Sequence, residues 1–267
     1  MAYDARPPKI FAAAGNPFDA AGDALRFFTR LPVPPGWGTR QPDRIFDGVA
    51  ALAPFAGAVI GALSGVALTA CLALGLAPLA AAVFAVAAGV LVSGALHQDG
   101  LADVVDGFGG GATRERKLAI MRDSGVGAYG ATALSLALMA RVALVASLVA
   151  SLGPESAVLA LIAAAALSRP LALLPTRLSA PARGEGAGAS ARPKARSVAI
   201  GCALGLATTI AFGGVPGGVA AAAFGGAAAL GVVALARRQI GGYTGDVCGA
   251  AAELAEIAAL AALAAFA

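Results

Sequence analysis

Apolar residues run along this chain in long blocks that lack a polar face. Residues 50–96, 131–174, 198–235 and 251–267 are almost free of charge. Crossing a bilayer takes roughly 20 such residues, about 17 at the short end. Turn signals divide the blocks near Pro78, at Gly153-Pro154 and over Gly213 to Gly218. The pattern predicts an all-α polytopic membrane bundle of about seven transmembrane helices, near 51–74, 78–96, 131–150, 156–174, 198–212, 218–236 and 250–267. Residues 49–267 then form a single transmembrane catalytic domain, and residues 1–48 a cytoplasmic N-terminal segment. Within that segment, residues 16–31 mix charge with Leu25, Phe27, Phe28 and Leu31, which predicts a helix lying at the membrane surface. Asp19 and Asp23 near its start and Arg26 and Arg30 near its end suit the helix dipole, and Pro32, Pro34 and Pro35 stop it.

Composition agrees with the pattern. Hydrophobic residues make up 59% and charged residues 13% of the 267, whereas soluble domains are about one quarter charged. A soluble alanine-rich bundle is therefore the weaker reading. The calculated pI near 9.3 points to topology and not to nucleic acid. Arg6, Lys9, Arg26, Arg30, Arg40 and Arg44 fall on one side, joined by the basic residues of 114–122, 177–196 and 237–238, while the opposite loops hold only Glu155. Positive residues stay inside, which predicts a bacterial inner-membrane protein with its long loops cytoplasmic and its C-terminus outside. No short apolar stretch precedes a cleavage site, so no cleavable export signal is expected. Cys71, Cys202 and Cys248 have neither disulfide nor zinc spacing. Gly57, Gly61 and Gly65 let helices approach closely. Arg141 sits inside a span, where it needs a partner or an inward face.

The chemistry gathers at His97-Gln-Asp99-Gly-Leu-Ala-Asp103-Val-Val-Asp106-Gly, at the cytoplasmic exit of the second span. Asp99, Asp103 and Asp106 are spaced i, i+4, i+7 and share a helical face. Three like charges so close destabilise a helix unless a cation neutralises them. Hard oxygen ligands suit Mg²⁺, which commonly shares its shell between carboxylates and substrate phosphates. Arg114, Arg116, Lys117 and Arg122 follow, and arginines clamp phosphate oxygens bidentately. Asp123 reads either as a further metal ligand or as the partner of an arginine. His97, the lone histidine, is open to three roles: general base, phosphate or leaving-group contact, or a helix-start hydrogen bond that orients Asp99.

A second polar patch lies at Gly241-Gly-Tyr-Thr-Gly-Asp246-Val-Cys-Gly249, followed by Glu253 and Glu256 just inside the last apolar run. Seven spans bring Asp246 to the same membrane side as Asp99, which predicts one composite site. Pooled, these features give metal-assisted phosphoryl or phosphodiester transfer at the cytoplasmic surface. A transporter would be favoured by an internal repeat, which the chain lacks.

Five segments together resemble the cobalamin synthase family, also called adenosylcobinamide-GDP ribazoletransferase. They are Phe27-Phe-Thr-Arg-Leu-Pro-Val-Pro34, 97–107, 116–127 with Met121-Arg-Asp-Ser-Gly, Ser168-Arg-Pro170, and 241–249 with Glu253. The resemblance implies Mg²⁺-dependent joining of adenosylcobinamide-GDP to alpha-ribazole or its 5′-phosphate. GMP is released, and adenosylcobalamin or its phosphate is formed. It implies catalytic roles for His97, Asp99, Asp103, Asp106 and Asp246, with metal on the first three aspartates. Arg30, Arg114, Arg116, Arg122, Asp123 and Glu253 are the implied substrate contacts. The expected partners are these small molecules and membrane lipid, with no nucleic acid; the sequence admits a homo-oligomer without specifying one. The CDP-alcohol phosphotransferases are the alternative, since they also place aspartates at a membrane helix end.

Overall fold

In the computed structural model, residues 16–39, 44–183 and 192–266 are described; Arg6, Lys9 and Arg40 lie outside them. All regular structure among these residues is helical apart from one bridge. The elements are α1 Pro17–Phe28, α2 Ile45–Ala73, α3 Pro78–Ser93, α4 Leu96–Gly110, α5 Arg114–Ile120, α6 Ala128–Leu171, α7 Leu174–Leu178, α8 Ala195–Ile240 and α9 Gly245–Phe266. By length and composition α2, α6, α8 and α9 are membrane-spanning candidates, and the bent pair α3–α4 is a fifth if it counts as one.

Two of these long helices are interrupted. Gly153 (φ 84°) breaks α6 and Gly214 (φ 70°) breaks α8, both in the left-handed region that favours glycine. Arg141 and Arg169 both reach Glu256, yet 28 residues of straight helix would separate them by about 42 Å. Thr209 Oγ1 donates to the Gly218 carbonyl at 3.2 Å, where straight helix would leave about 13 Å between the residues. The chain therefore folds back on itself at both glycines. It enters each return arm through a proline, Pro154 or Pro216, that helix starts tolerate.

Small residues set the spacing between arms. A Cβ at Gly57 or Gly61 would fall 2.1 Å from the Ala165 carbonyl oxygen or 2.6 Å from the Ile162 Cα, so α2 meets the return arm of α6 backbone to backbone. Without a hydrophobic force between helices in lipid, such close contact holds the bundle by dispersion. At one end, Asp47 of α2 accepts from the Lys194 backbone N–H at 2.6 Å and from its Nζ at 2.7 Å. At the other end, Leu263 and Phe266 pack near Gly213 and Gly217.

The surface helix is present but shorter than expected. Asn16 caps α1 by accepting from the Phe18 N–H at 3.1 Å, and Ala20, Ala24, Leu25 and Phe28 are buried, where α1 packs on α2. It ends at Phe28, so Arg30 does not share its face with Arg26. The Arg30 backbone N–H instead donates to the Val92 carbonyl at 2.7 Å, tying the segment after α1 to the end of α3.

α3 stops at Ser93, short of the expected 96, and α4 leaves it at 89°. Gly94 (φ 64°) and Ala95 (φ 58°) are consecutive left-handed residues that make this elbow. Ala95 is the one positive-φ residue other than glycine among the described residues. α4 consequently runs across the end of the bundle instead of along it.

Candidate active site at one end of the bundle

The site forms where α4 crosses the start of α9. A Cβ on Gly100 would lie 2.7 Å from the Asp246 carbonyl oxygen and 3.0 Å from the Gly249 Cα. Only glycine allows α4 and α9 to touch there, and that contact sets the two acidic patches side by side. Asp99 and Asp246 line one cleft together with His97, Phe27 and Tyr243, so the two acidic patches meet at one place.

The loop before α9 is held from below. Pro181 bridges Tyr243, with the Ala182 N–H donating to the Tyr243 carbonyl at 2.8 Å and the Tyr243 N–H to the Ala180 carbonyl at 3.0 Å. This pairing carries Arg183 to the site, where its Nη1 is 4.0 Å from Asp246 Oδ2. Thr244 Oγ1 donates to Asp246 at 3.1 Å and accepts from the Val247 N–H at 3.3 Å, capping α9. Arg183 was legible only as one charge of a basic loop; nothing in its spacing marks it as the partner of Asp246.

Asp103 shows the strain of the acidic crowd. α4 runs across the end of the bundle, and partial burial, followed by the charges of Asp246, Asp99 and Asp106, raises the Asp103 carboxyl to about 7, with Arg183 opposing.

The third member of the expected triad does something else. Asp106 is buried, and its two oxygens accept the backbone N–H groups of Gly127 at 2.7 Å and Gly130 at 2.8 Å. It therefore caps the start of α6 from a neighbouring helix and satisfies donors that the helix itself leaves unpaired. A Cβ at Gly127 or Gly130 would meet Asp106 at 2.5 or 2.2 Å, so these two glycines make room for its carboxylate. Asp106→Ala is expected to cost about 1–2 kcal/mol of stability, as lost N-caps do. Thermal unfolding in detergent measures that loss, and activity should fall only in proportion to folded protein.

Glu253 is likewise placed apart from the cleft. It accepts from Gln98 Nε2 at 2.6 Å and from Arg141 Nη1 at 3.2 Å. Arg141 also bonds Glu256, which takes Arg169 and the Ser168 hydroxyl on its other oxygen. All of these groups are buried. Two guanidiniums and two carboxylates balance, as ionisable groups within a membrane bundle must. Ser168-Arg169-Pro170 thus belongs to a buried ion cluster tying α6 to α9, and Glu253, expected at the substrate, is a member of that cluster outside the cleft's lining.

The expected arginines also divide. Arg114 donates to the carbonyls of Ile240 at 2.8 Å and Ala182 at 2.7 Å, pinning α5 under the α8–α9 loop, and Lys117 bonds Gln239. Arg116 and Arg122 are exposed, and Arg122 lies within electrostatic range of Arg183. Asp123 closes a local turn by accepting from the Gly125 N–H at 3.2 Å. Arg30 lines a second, more polar recess with Arg26 and Ser93 that shares Asp99, Leu96 and Phe27 with the main cleft. Arg26 is already committed to the Pro34 carbonyl at 2.5 Å, whereas Arg30 lines the recess with its guanidinium uncommitted among the described residues.

A helical membrane protein with a carboxylate-lined cleft at one end of its bundle is the class that fold and site define. The cobalamin-5-phosphate synthase family profile matches residues 21–264, so the chain belongs to that family. It is 46% identical over 241 residues to an adenosylcobinamide-GDP ribazoletransferase of Azorhizobium caulinodans, covering 87% of this chain and 90% of that protein. Proteins of the same name from Xanthobacter autotrophicus (44%, covering 87% and 90%) and Mesorhizobium japonicum (40%, covering 91% and 92%) are also similar. No solved structure matches the chain.

Proposed function

We propose that this transferase joins adenosylcobinamide-GDP to alpha-ribazole or its 5′-phosphate, with Mg²⁺, at the cytoplasmic face of the bacterial inner membrane. The observation that carries this reading is the shared cleft of Asp99 and Asp246, far apart in sequence and brought together by the Gly100–Gly249 contact. The reversals at Gly153 and Gly214 split α6 and α8 into two arms each. Counted with α2, α3 and α9 they support seven crossings, with the basic loops and the cleft on one side.

In the reaction, a ribose hydroxyl forms a bond to the phosphorus attached to cobinamide, the bond from that phosphorus to the GMP oxygen breaks, and the hydroxyl loses its proton. Asp99, Asp103 and Asp246 offer hard oxygen donors of the kind Mg²⁺ selects. No group of three acidic, histidine or cysteine side chains among the described residues is close enough to enclose a metal alone. Mg²⁺ commonly takes one or two carboxylates and completes its shell with phosphates and water. When bound, the metal supplies charge stabilisation on the pyrophosphate. Arg30 in the polar recess and Arg183 beside Asp246 supply cationic contacts. His97 is buried behind the cleft wall, and its Nε2 has no partner among the described residues.

Purified protein given adenosylcobinamide-GDP, alpha-ribazole and Mg²⁺ is expected to release GMP. Release of CMP from a CDP-alcohol, with no GMP from the corrinoid, would move the chain to the rival chemistry. A pH dependence follows as well. Between about pH 4 and 7 the folded protein holds a proton on Asp103 that the unfolded chain releases, so stability falls as pH rises through that window. Metal binding needs the ionised form. The half-saturating Mg²⁺ concentration should therefore rise about fivefold from pH 7 to 6 and about tenfold again to pH 5. Asp103→Asn should flatten that profile; an unchanged slope in a Mg²⁺ titration would remove Asp103 from the metal site.

A further inference from the structure

The main cleft has a wall that the carboxylates do not explain. Away from Asp99 and Asp246 it is closed by Phe27, Phe28, Leu173, Tyr243 and Cys248. Phe27 and Phe28 stand edge to face at 4.8 Å, and the His97 ring lies 6.0 Å from Phe28 at a 38° tilt. The His97 ring, 2% exposed, backs this wall. A chamber walled mainly by aromatic and apolar side chains suits a planar ring poor in hydrogen-bonding groups. Guanine suits it badly, because its polar edge would lose water contacts without replacement.

We infer that the Phe27–Phe28–Tyr243–Cys248 slot binds the base of the acceptor nucleoside, as a planar ring with an apolar edge. The inference rests on the reaction proposed above and says which substrate occupies which side. With its ring in the slot, the acceptor's ribose faces the Asp99–Asp246 end beside His97. The anionic donor then takes the polar recess of Arg30, which opens at the shared residues Asp99, Leu96 and Phe27. The two substrates then meet at Asp99, with Phe27 and Leu96 standing between them.

Equilibrium dialysis of the purified full-length protein in detergent, without metal, tests this with benzimidazole riboside and GMP as probes. Benzimidazole riboside is expected to bind and not to be displaced by GMP. Phe27→Leu, at a side chain 40% exposed and so safe for folding, should weaken its binding about fivefold or more, as loss of one stacking face does. Cys248→Ser, which sets a hydroxyl in the slot at nearly constant volume, should weaken it too. Arg30→Ala should leave it unchanged. In turnover, Cys248→Ser, at a residue that lines the main cleft and not the Arg30 recess, should raise the acceptor KM and leave the donor KM where it was. Displacement of the riboside by GMP, or equal loss from Arg30→Ala and Phe27→Leu, overturns the assignment even if GMP is released normally in the full reaction. Failure of the wild-type protein to release GMP would sink the proposed reaction while leaving the binding selectivity standing.

Discussion

Asp246→Asn is expected to slow transfer about 10²–10³-fold while insertion and thermal stability in detergent stay at parental values. The magnitude is that of removing one group aimed at charge in a phosphoryl or acyl transition state. The expectation rests on placement. Asp246 stands at the first turn of α9, beside Arg183 and Thr244, with its side chain on the cleft and outside the ion cluster. Asparagine keeps the size and can still accept from Thr244, so the fold loses little. Glu253→Gln, one further turn pair along the same helix, should behave in the opposite way. Its loss disturbs Arg141 and Gln98, and activity should fall only in proportion to folded protein.

Glu256→Gln should be the most destabilising single change in the bundle, at about 3–5 kcal/mol, the usual cost of leaving a buried charge unpaired. Its carboxylate serves Arg141 on one oxygen and Arg169 and Ser168 on the other. Removing it strands Arg169, which is 2% exposed. The double change Arg169→Met with Glu256→Met should recover most of the loss, because replacing both charges with apolar side chains leaves Arg141 and Glu253 balanced. Chemical or thermal unfolding of the three proteins in one detergent reads this directly. A single variant as stable as the parent would mean that the cluster does not hold α6 to α9.

How far the chain could be read in advance follows from which forces are local. The apolar blocks, the breaks at Gly153-Pro154 and Gly213–Gly218, and the surface helix capped by Asn16 are local patterns, and they correspond to arms, reversals and α1. The elbow at Gly94-Ala95 is not. Alanine gives no sign that it will adopt φ 58°, a conformation imposed by the packing of α3 and α4, so the second span read through to 96. Helical spacing rightly put Asp99 and Asp103 on one helix, but it could not see that Gly127 and Gly130 would claim Asp106, a partnership across the fold. Arg183 and Arg169 were missed as partners for the same reason. Their carboxylates sit on α9, and only the tertiary contact of glycines such as Gly100 and Gly249 determines who meets whom.

The claim on which the rest depends is that the α4 and α9 carboxylates act as one reaction centre. A double-mutant cycle on GMP release tests it most directly, using Asp103→Asn, Asp246→Asn and the pair, all checked for normal insertion. Residues that act as a unit are strongly non-additive. The account predicts that the double variant is about as slow as the slower single one. Rate losses that simply multiply, or a parental rate for Asp246→Asn, would contradict it and confine the chemistry to α4.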